Sequence, residues 1–316
     1  LEMERRRYSA DDVIALFHRL TKETSLFSFM HSVIVQLKQL GKIRTSETYT
    51  ATLKSFMEFR DGQDVPLDGI ESDLMLLYEA CLEKKGVCMN TTSFYMRILR
   101  AVYNRAVEKG LTEQRYPFRH VYTGVEKTVK RAVSVKVIKK LKELDLSMKP
   151  SLDFARDMFL FSFYTRGMSF VDMAYLRKID LQNGILTYRR RKTGQQLTIK
   201  WEKCMEEIIC KYPSNKTDYL LPIIKVQDNE RKQYDNALHL VNYRLKDLSK
   251  ILKLQRPLTL YVARHSWASA AKAKNIPLSV ICEGMGHESE KTTQIYLASL
   301  ETSVVDKANK VILESL

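Results

Sequence analysis

The sequence predicts a mainly α-helical protein of two domains with one small β-hairpin. Three observations carry that expectation. Four apolar-periodic segments in the first 110 residues each stop at a glycine, and a single stretch near residue 190 alternates with a period of two. The excess positive charge lies almost wholly after residue 110. At 316 residues and 45% hydrophobic content, the chain has material for about two packed cores.

The first domain is expected over residues 1–112. Ser9 to Asp12 reads as a capping box opening a helix with Val13, Ile14 and Phe17 on one face. Next, "SLFSFMHSVIVQLKQLG" ends at Gly41 and "TSETYTATLKSFMEFRDG" at Gly62. "IESDLMLLYEACLEKKG" ends at Gly86, and "NTTSFYMRILRAVYNRAVEKG" at Gly110. A glycine at each stop supplies the left-handed residue that closes a helix C-terminus. No nucleophile stands beside a base here, so the expected role is binding or support. Residues 113–133 lack a strong period, contain Pro117 and Gly124, and read as an extended basic linker. Lys127, Lys130 and Arg131 are its candidate phosphate contacts.

The second domain, 134–316, is expected to be helical over 134–145, 151–165, 169–178, 202–212, 233–253, 260–274, 277–284, 289–298 and 302–314. The last of these is a tail helix with Val304, Val305, Ala308 and Ile312 at helical spacing. One stretch breaks the pattern. "GILTYRRRKTGQQLTIKW" alternates apolar and polar residues on both sides of Lys-Thr-Gly and reads as a hairpin with Gly194 in its turn. Its tip carries Arg189, Arg190, Arg191 and Lys192 in a row, more cations than a solvated turn requires.

Charge sets the class of partner. The net charge is +15. Residues 1–110 hold 16 Lys+Arg against 15 Asp+Glu, and residues 111–316 hold 36 against 22. Such an asymmetry points to a polyanion met by the second part of the chain. The longest apolar runs, such as Met158–Tyr164, fall far short of a bilayer span, and no secretory leader pattern opens the sequence. No membrane partner is expected. The five cysteines show no C-x-x-C spacing and suggest reduced, mostly buried thiols in a cytoplasmic protein. No metal site is expected.

Chemistry concentrates near the C-terminus. "LTLYVARHSWASAA" sets Arg264 early on a helix rich in small residues, where a buried guanidinium must be paired or aimed at an anion. As an isolated motif, a structural salt bridge explains it equally well. "MGHESEKTTQIYL" places His287 nine residues before Tyr296. That pair alone reads as a helix cap and a core tyrosine. A tyrosine hydroxyl, with a pKa of about 10, attacks well only when a base or cations assist it.

Taken together, "TRGMSFVDMAYLRKIDL", "RRRKTG", "YVARHSWAS" and "GMGHESEKTTQIYL" stand in one order. By these motifs the chain resembles the tyrosine recombinase, or phage integrase, family, in particular the branch carried by conjugative transposons and related prophages. The resemblance spans residues about 20–316. It implies a helical core DNA-binding domain, a recombinase catalytic domain, and cleavage and rejoining of DNA through a 3′-phosphotyrosine to integrate or excise a mobile element. By the same resemblance Tyr296 is the nucleophile and Arg264 neutralises the non-bridging phosphate oxygens. Lys192 protonates the leaving 5′-oxygen, and His287 binds the phosphate or assists proton removal from Tyr296. No metal, ATP or other cofactor is implied.

Two positions depart from the family pattern. Tyr261 stands where a histidine is usual, and Ser169 stands where the first arginine is usual. Arg166 is the nearest arginine and would supply the missing charge if 166–172 continued one helix. Ser169 would then add at most a hydrogen bond; the rival is that Arg166 is structural, paired with Asp172, and that Arg264 with a hairpin arginine suffices. Asp172 matches the family's acidic residue and is expected to buttress basic side chains. Double-stranded DNA is the implied partner, with self-association into a tetrameric synapse, accessory DNA-bending or directionality factors, and a place at the bacterial nucleoid. The family's further N-terminal arm-binding domain is not visible in this sequence. A type IB topoisomerase, or a DNA-binding regulator on a weakened recombinase scaffold, are the alternative readings.

Overall fold

A computed structural model describes residues 25–126, 131–212, 216–297 and 313. The helix expected after Ser9 lies outside them, as does the expected tail helix apart from residue 313. The chain divides into two compact units, Leu1–Thr128 and Val129–Leu316.

In the first unit, α1 (Leu26–Gln39), α2 (Ile43–Phe59), α3 (Ser72–Lys84) and α4 (Met89–Glu108) pack around one core. Ser25 caps α1 by accepting the Ser28 amide, which satisfies one donor left over at a helix start. The four glycines close the helices as expected, at φ of 70°, 78°, 71° and 67° for Gly41, Gly62, Gly86 and Gly110. Phe56 meets Tyr78 edge-on with ring centroids 5.0 Å apart. The buried Tyr78 hydroxyl donates to Ser55 Oγ at 2.8 Å, so the polar tip costs the core nothing unmade.

The linker expected over 113–133 is not extended through 126. Phe118 and Val121, three residues apart, are buried in the first core. The Tyr122 amide donates to Glu79 Oε1 at 2.7 Å, and Tyr103 donates to the Glu113 carbonyl at 2.7 Å. Two apolar side chains outweigh the missing periodicity and draw the segment onto the helices. Lys127 and Lys130 lie outside the described residues, and Arg131 is exposed.

The second unit centres on α6 (Pro150–Tyr164), which buries Met158, Phe159 and Phe161. It packs against α5 (Val135–Lys142), α8 (Lys203–Cys210), α9 (Glu230–Ile251) and α10 (Leu260–Ala273). The short helices α11 (Leu278–Gly284) and α12 (Glu290–Tyr296) pack on α10 through a small cluster of Ala268, Ala271, Ile281, Met285 and Leu297. The hairpin is present as β2 (Ile185–Arg189) and β3 (Gln196–Lys200), antiparallel, with Tyr188 opposite Leu197. Leu186, Tyr188, Leu197 and Ile199 face the core, as alternation requires. A third strand, β1 (Leu181–Gln182), adds to β2 across Asn183 and Gly184, both left-handed at φ of 51° and 72°. Two residues are too few for alternation to reveal, although the Asn-Gly dipeptide was the turn signal.

Two expectations need correction here. The segment 166–172 does not continue one helix: α6 stops at Tyr164, Arg166 and Gly167 turn left-handed at φ of 60° and 77°, and α7 runs only over Phe170–Ala174. The Thr165 hydroxyl donates to the Phe161 carbonyl at 2.7 Å and closes the end of α6. The cysteines are not mostly buried either, since Cys282 is buried but Cys88 and Cys210 are exposed.

Candidate active site

Arg264 is the hub. It sits in the second turn of α10 at 6% exposure, where a guanidinium must find acceptors. Nη1 donates to the Gly167 carbonyl at 2.6 Å, and Nη2 donates to the Met285 carbonyl at 2.7 Å. The α6–α7 turn and the loop after α11 are thus drawn to one side chain. Gly167 permits this approach: a Cβ there would lie 2.8 Å from Arg264 Cα, at a φ that L side chains rarely adopt.

His287 completes the hub from the same loop after α11 that carries Met285. Its Nε2 lies 2.8 Å from Arg264 Nη2, and its Nδ1 lies 2.9 Å from Thr293 Oγ1. Burial, then the charges of Arg264, Arg190 and Lys192, push its pKa down from 6.5 to about 4. The ring is therefore neutral at physiological pH. Ser289, not His287, caps α12, by accepting the Thr292 amide.

The hairpin delivers the other cations, in unequal ways. Arg190 is buried rather than displayed at the tip, and its guanidinium donates to the Gly286 carbonyl. Gly286 leaves room for it, since a Cβ there would lie 2.8 Å from Arg190 Cδ. Arg191 is exposed and lays its guanidinium 3.9 Å above the Tyr175 ring, while Arg189 is exposed and donates to the Gly194 carbonyl at 3.3 Å. Lys192 is exposed beside them. Asp172 is buried and binds backbone rather than a basic side chain: its Oδ1 accepts the Arg191 amide at 2.9 Å. Its Oδ2 accepts the Ser169 hydroxyl at 2.6 Å, and Ser169 also caps α7.

One cavity of about 440 Å³ has Ser169, Arg190, Lys192, Tyr261 and Arg264 in its wall, whereas His287, Asp172, Arg189 and Arg191 do not line it. Tyr261 is half exposed, with its ring edge-on to His265 at 4.6 Å between centroids. Arg166 is not in that wall. It reaches the Thr198 carbonyl on β3 at 3.3 Å, because the left-handed turn points it away from Ser169. Tyr296 ends α12, and its side chain lies outside what the structure describes. Sequence reasoning missed Gly167, Gly286 and Thr293. Their signals were the glycines flanking "TRGMS" and "GMGH" and the second threonine of "KTTQIY".

Arginines and a lysine around one cavity, close to a buried imidazole, have the charge and donor geometry that suit a phosphate-class anion. Family comparison agrees with that class. The model described as "Phage integrase SAM-like domain" matches residues 25–121, and "Phage integrase family" matches residues 133–302. The chain belongs to the phage integrase family, and its role is that of a tyrosine recombinase in DNA recombination. It is 26% identical over 246 residues to "Tyrosine recombinase XerA" of Pyrococcus furiosus, covering 76% of this chain and 81% of that one. It is 24% identical over 277 residues to "Tyrosine recombinase XerC" of Rickettsia bellii, covering 82% and 88%.

Among solved structures, a lambda integrase tetramer bound to a Holliday junction matches with a TM-score of 0.66 at 15% identity, covering 91% of this chain and 84% of that one. The Tn1549 transposon integrase in complex with a circular intermediate DNA matches with a TM-score of 0.64 at 13% identity, covering 93% and 100%. At such identities the likeness is one of fold. Among the described residues, no helix is long and apolar enough to cross a membrane.

Proposed function

We propose that the protein is a site-specific DNA recombinase that integrates or excises a mobile element, in the branch of conjugative-transposon and prophage integrases. The observation that carries the reading is the convergence of Arg264, Arg190 and Lys192 on one cavity, with His287 bonded to Arg264 nine residues before Tyr296. The fold shared with lambda and Tn1549 integrases supports it.

In this mechanism the Tyr296 oxygen attacks a DNA phosphorus. A P–O(Tyr) bond forms, the P–O5′ bond breaks, and a 3′-phosphotyrosine and a 5′-hydroxyl result. Arg264 presents its fork to the non-bridging oxygens, where charge grows in the transition state. Its present donations to backbone carbonyls hold the fork in place. Arg190, in the same cavity wall, serves as the second arginine in place of the residue that Ser169 replaces. Ser169 is committed to Asp172, and Arg166 is structural through Thr198. Lys192 gives the proton to the leaving 5′-oxygen. As the bound phosphate draws Arg264 Nη2 away from the ring, the freed Nε2 lone pair of the neutral His287 takes the Tyr296 proton. Tyr261 positions substrate by hydrogen bonding, since a phenol carries no positive charge. Religation reverses these steps and draws on neither ATP nor a metal.

Arg189, Arg191 and Arg131, with Lys127 and Lys130, lie along the phosphate backbone. Double-stranded DNA is the partner, four protomers form the synapse, accessory factors set direction, and the protein works at the bacterial nucleoid. Incubation with a nicked suicide duplex tests the core of this reading. The wild-type chain should form a covalent adduct, and Tyr296→Phe should form none while binding the duplex nearly as well. An adduct retained by Tyr296→Phe would remove that residue from the mechanism.

A further inference from the structure

We propose that Thr293 is a positioning residue of the active site: its hydroxyl holds His287 as the Nδ1–H tautomer and ties the helix ending at Tyr296 to that ring. A guanidinium has only donors. Arg264 Nη2 at 2.8 Å therefore requires His287 Nε2 to be an unprotonated acceptor. A neutral imidazole has one N–H, which must then sit on Nδ1. That N–H is buried and needs an acceptor, and Thr293 Oγ1 is 2.9 Å away.

Thr293 is itself fully buried, in the second half-turn of a seven-residue helix. Loss of the hydroxyl removes this acceptor from the Nδ1–H, at a cost on the order of 1 kcal/mol, and so favours rotation of the ring or the other tautomer. The other tautomer sets an N–H against the guanidinium and removes the lone pair at Nε2. Thr293 also stands three residues before Tyr296 on α12, so the same bond fixes the nucleophile's helix relative to the ring. One hydroxyl thus sets both the lone pair of the proton acceptor and the placement of the helix that carries the proton donor. Among the neighbours of that ring, Arg264 anchors Nε2 and Thr293 anchors Nδ1; the fixing of tautomers by such partners is general for histidine.

The inference rests on the role given to His287 above, and its test separates the two. With six histidines in the chain, ¹⁵N-histidine labelling gives a sparse spectrum, and loss of one signal in His287→Gln assigns the ring. The full-length wild-type protein should show protonated Nδ1 and unprotonated Nε2 at pH 7. Thr293→Val, nearly the same shape, should lose that signature and slow adduct formation at least about tenfold, since a wrong tautomer disables a catalytic histidine. Thr293→Ser should recover the signature and most of the rate, with duplex affinity unchanged in both variants.

Protonated Nε2 in the wild-type protein overturns the inference whether or not any variant folds. So does a Thr293→Val enzyme with normal rate and unchanged ring. A normal signature that shifts in Thr293→Val without any change in rate would keep the tautomer assignment but overturn the positioning role. Failure of the wild-type chain to form any adduct would instead count against the recombinase reading, with the ring spectrum still deciding the tautomer.

Discussion

The imidazole of His287 sits out of water beside three cations, and its stability consequence has a definite sign. In the unfolded chain the ring takes up a proton near pH 6.5, whereas in the native site it does so only near pH 4. Between those values the unfolded chain binds more protons than the native one. Stability from the neutral ring is therefore full above about pH 6.5 and is lost as pH falls through about 4. Urea unfolding at pH 7, 5.5 and 4 should show a decline in the wild-type chain that is shallower in His287→Gln. Equal declines would mean that the ring is not held neutral by its site. Little of this was legible beforehand. The spacing of His287 and Tyr296 showed where chemistry stands, but burial and the approach of Arg190 come from the hairpin, about a hundred residues away in sequence.

Between residues and whole domains, the α6–α7 turn and the hairpin decide which arginine faces the cavity. A continuous helix would have put Arg166 and Ser169 on one face, since residues three apart are neighbours. Two consecutive left-handed residues instead turn Arg166 toward β3, and the hairpin brings Arg190 in. Arg190→Ala should lower the rate of adduct formation by about a hundredfold or more, as removal of a transition-state donor does. Arg166→Ala should cost much less. The reverse order in well-folded variants would return the role to Arg166. Asp172 serves the same elements, binding the Ser169 hydroxyl and the Arg191 amide at once and so fixing the backbone next to Lys192.

At the scale of the whole molecule, the excess positive charge follows the division into two units. Residues 129–316 carry 33 Lys+Arg against 20 Asp+Glu, so the second unit holds most of the excess. Duplex affinity should fall steeply with added salt, because phosphate contacts release condensed counterions. Removal of residues 1–128 should weaken binding while leaving most of that salt dependence in place. A slope that collapses with the first unit would locate the phosphate contacts there. Cutting at residue 110 is the wrong experiment, since Phe118 and Val121 belong to the first core and would be stranded on the second unit.

Local signals were enough for the four described helices of the first unit, because apolar periodicity and a glycine at each stop act within a few residues of one another. They were enough for the hairpin too, whose alternation is read strand by strand, and for the order of the motifs that mark the family. Tertiary structure alone decided that the expected linker packs and that Arg190 turns inward and Arg166 away. It also decided that Thr293 meets His287. Arg190 and Arg166 meet carbonyls 96 and 32 residues away along the chain, whereas Thr293 meets a ring only six residues away, in a turn whose shape the surrounding packing sets. No spacing along the sequence encodes such distances, because they follow from how the helices and the hairpin pack.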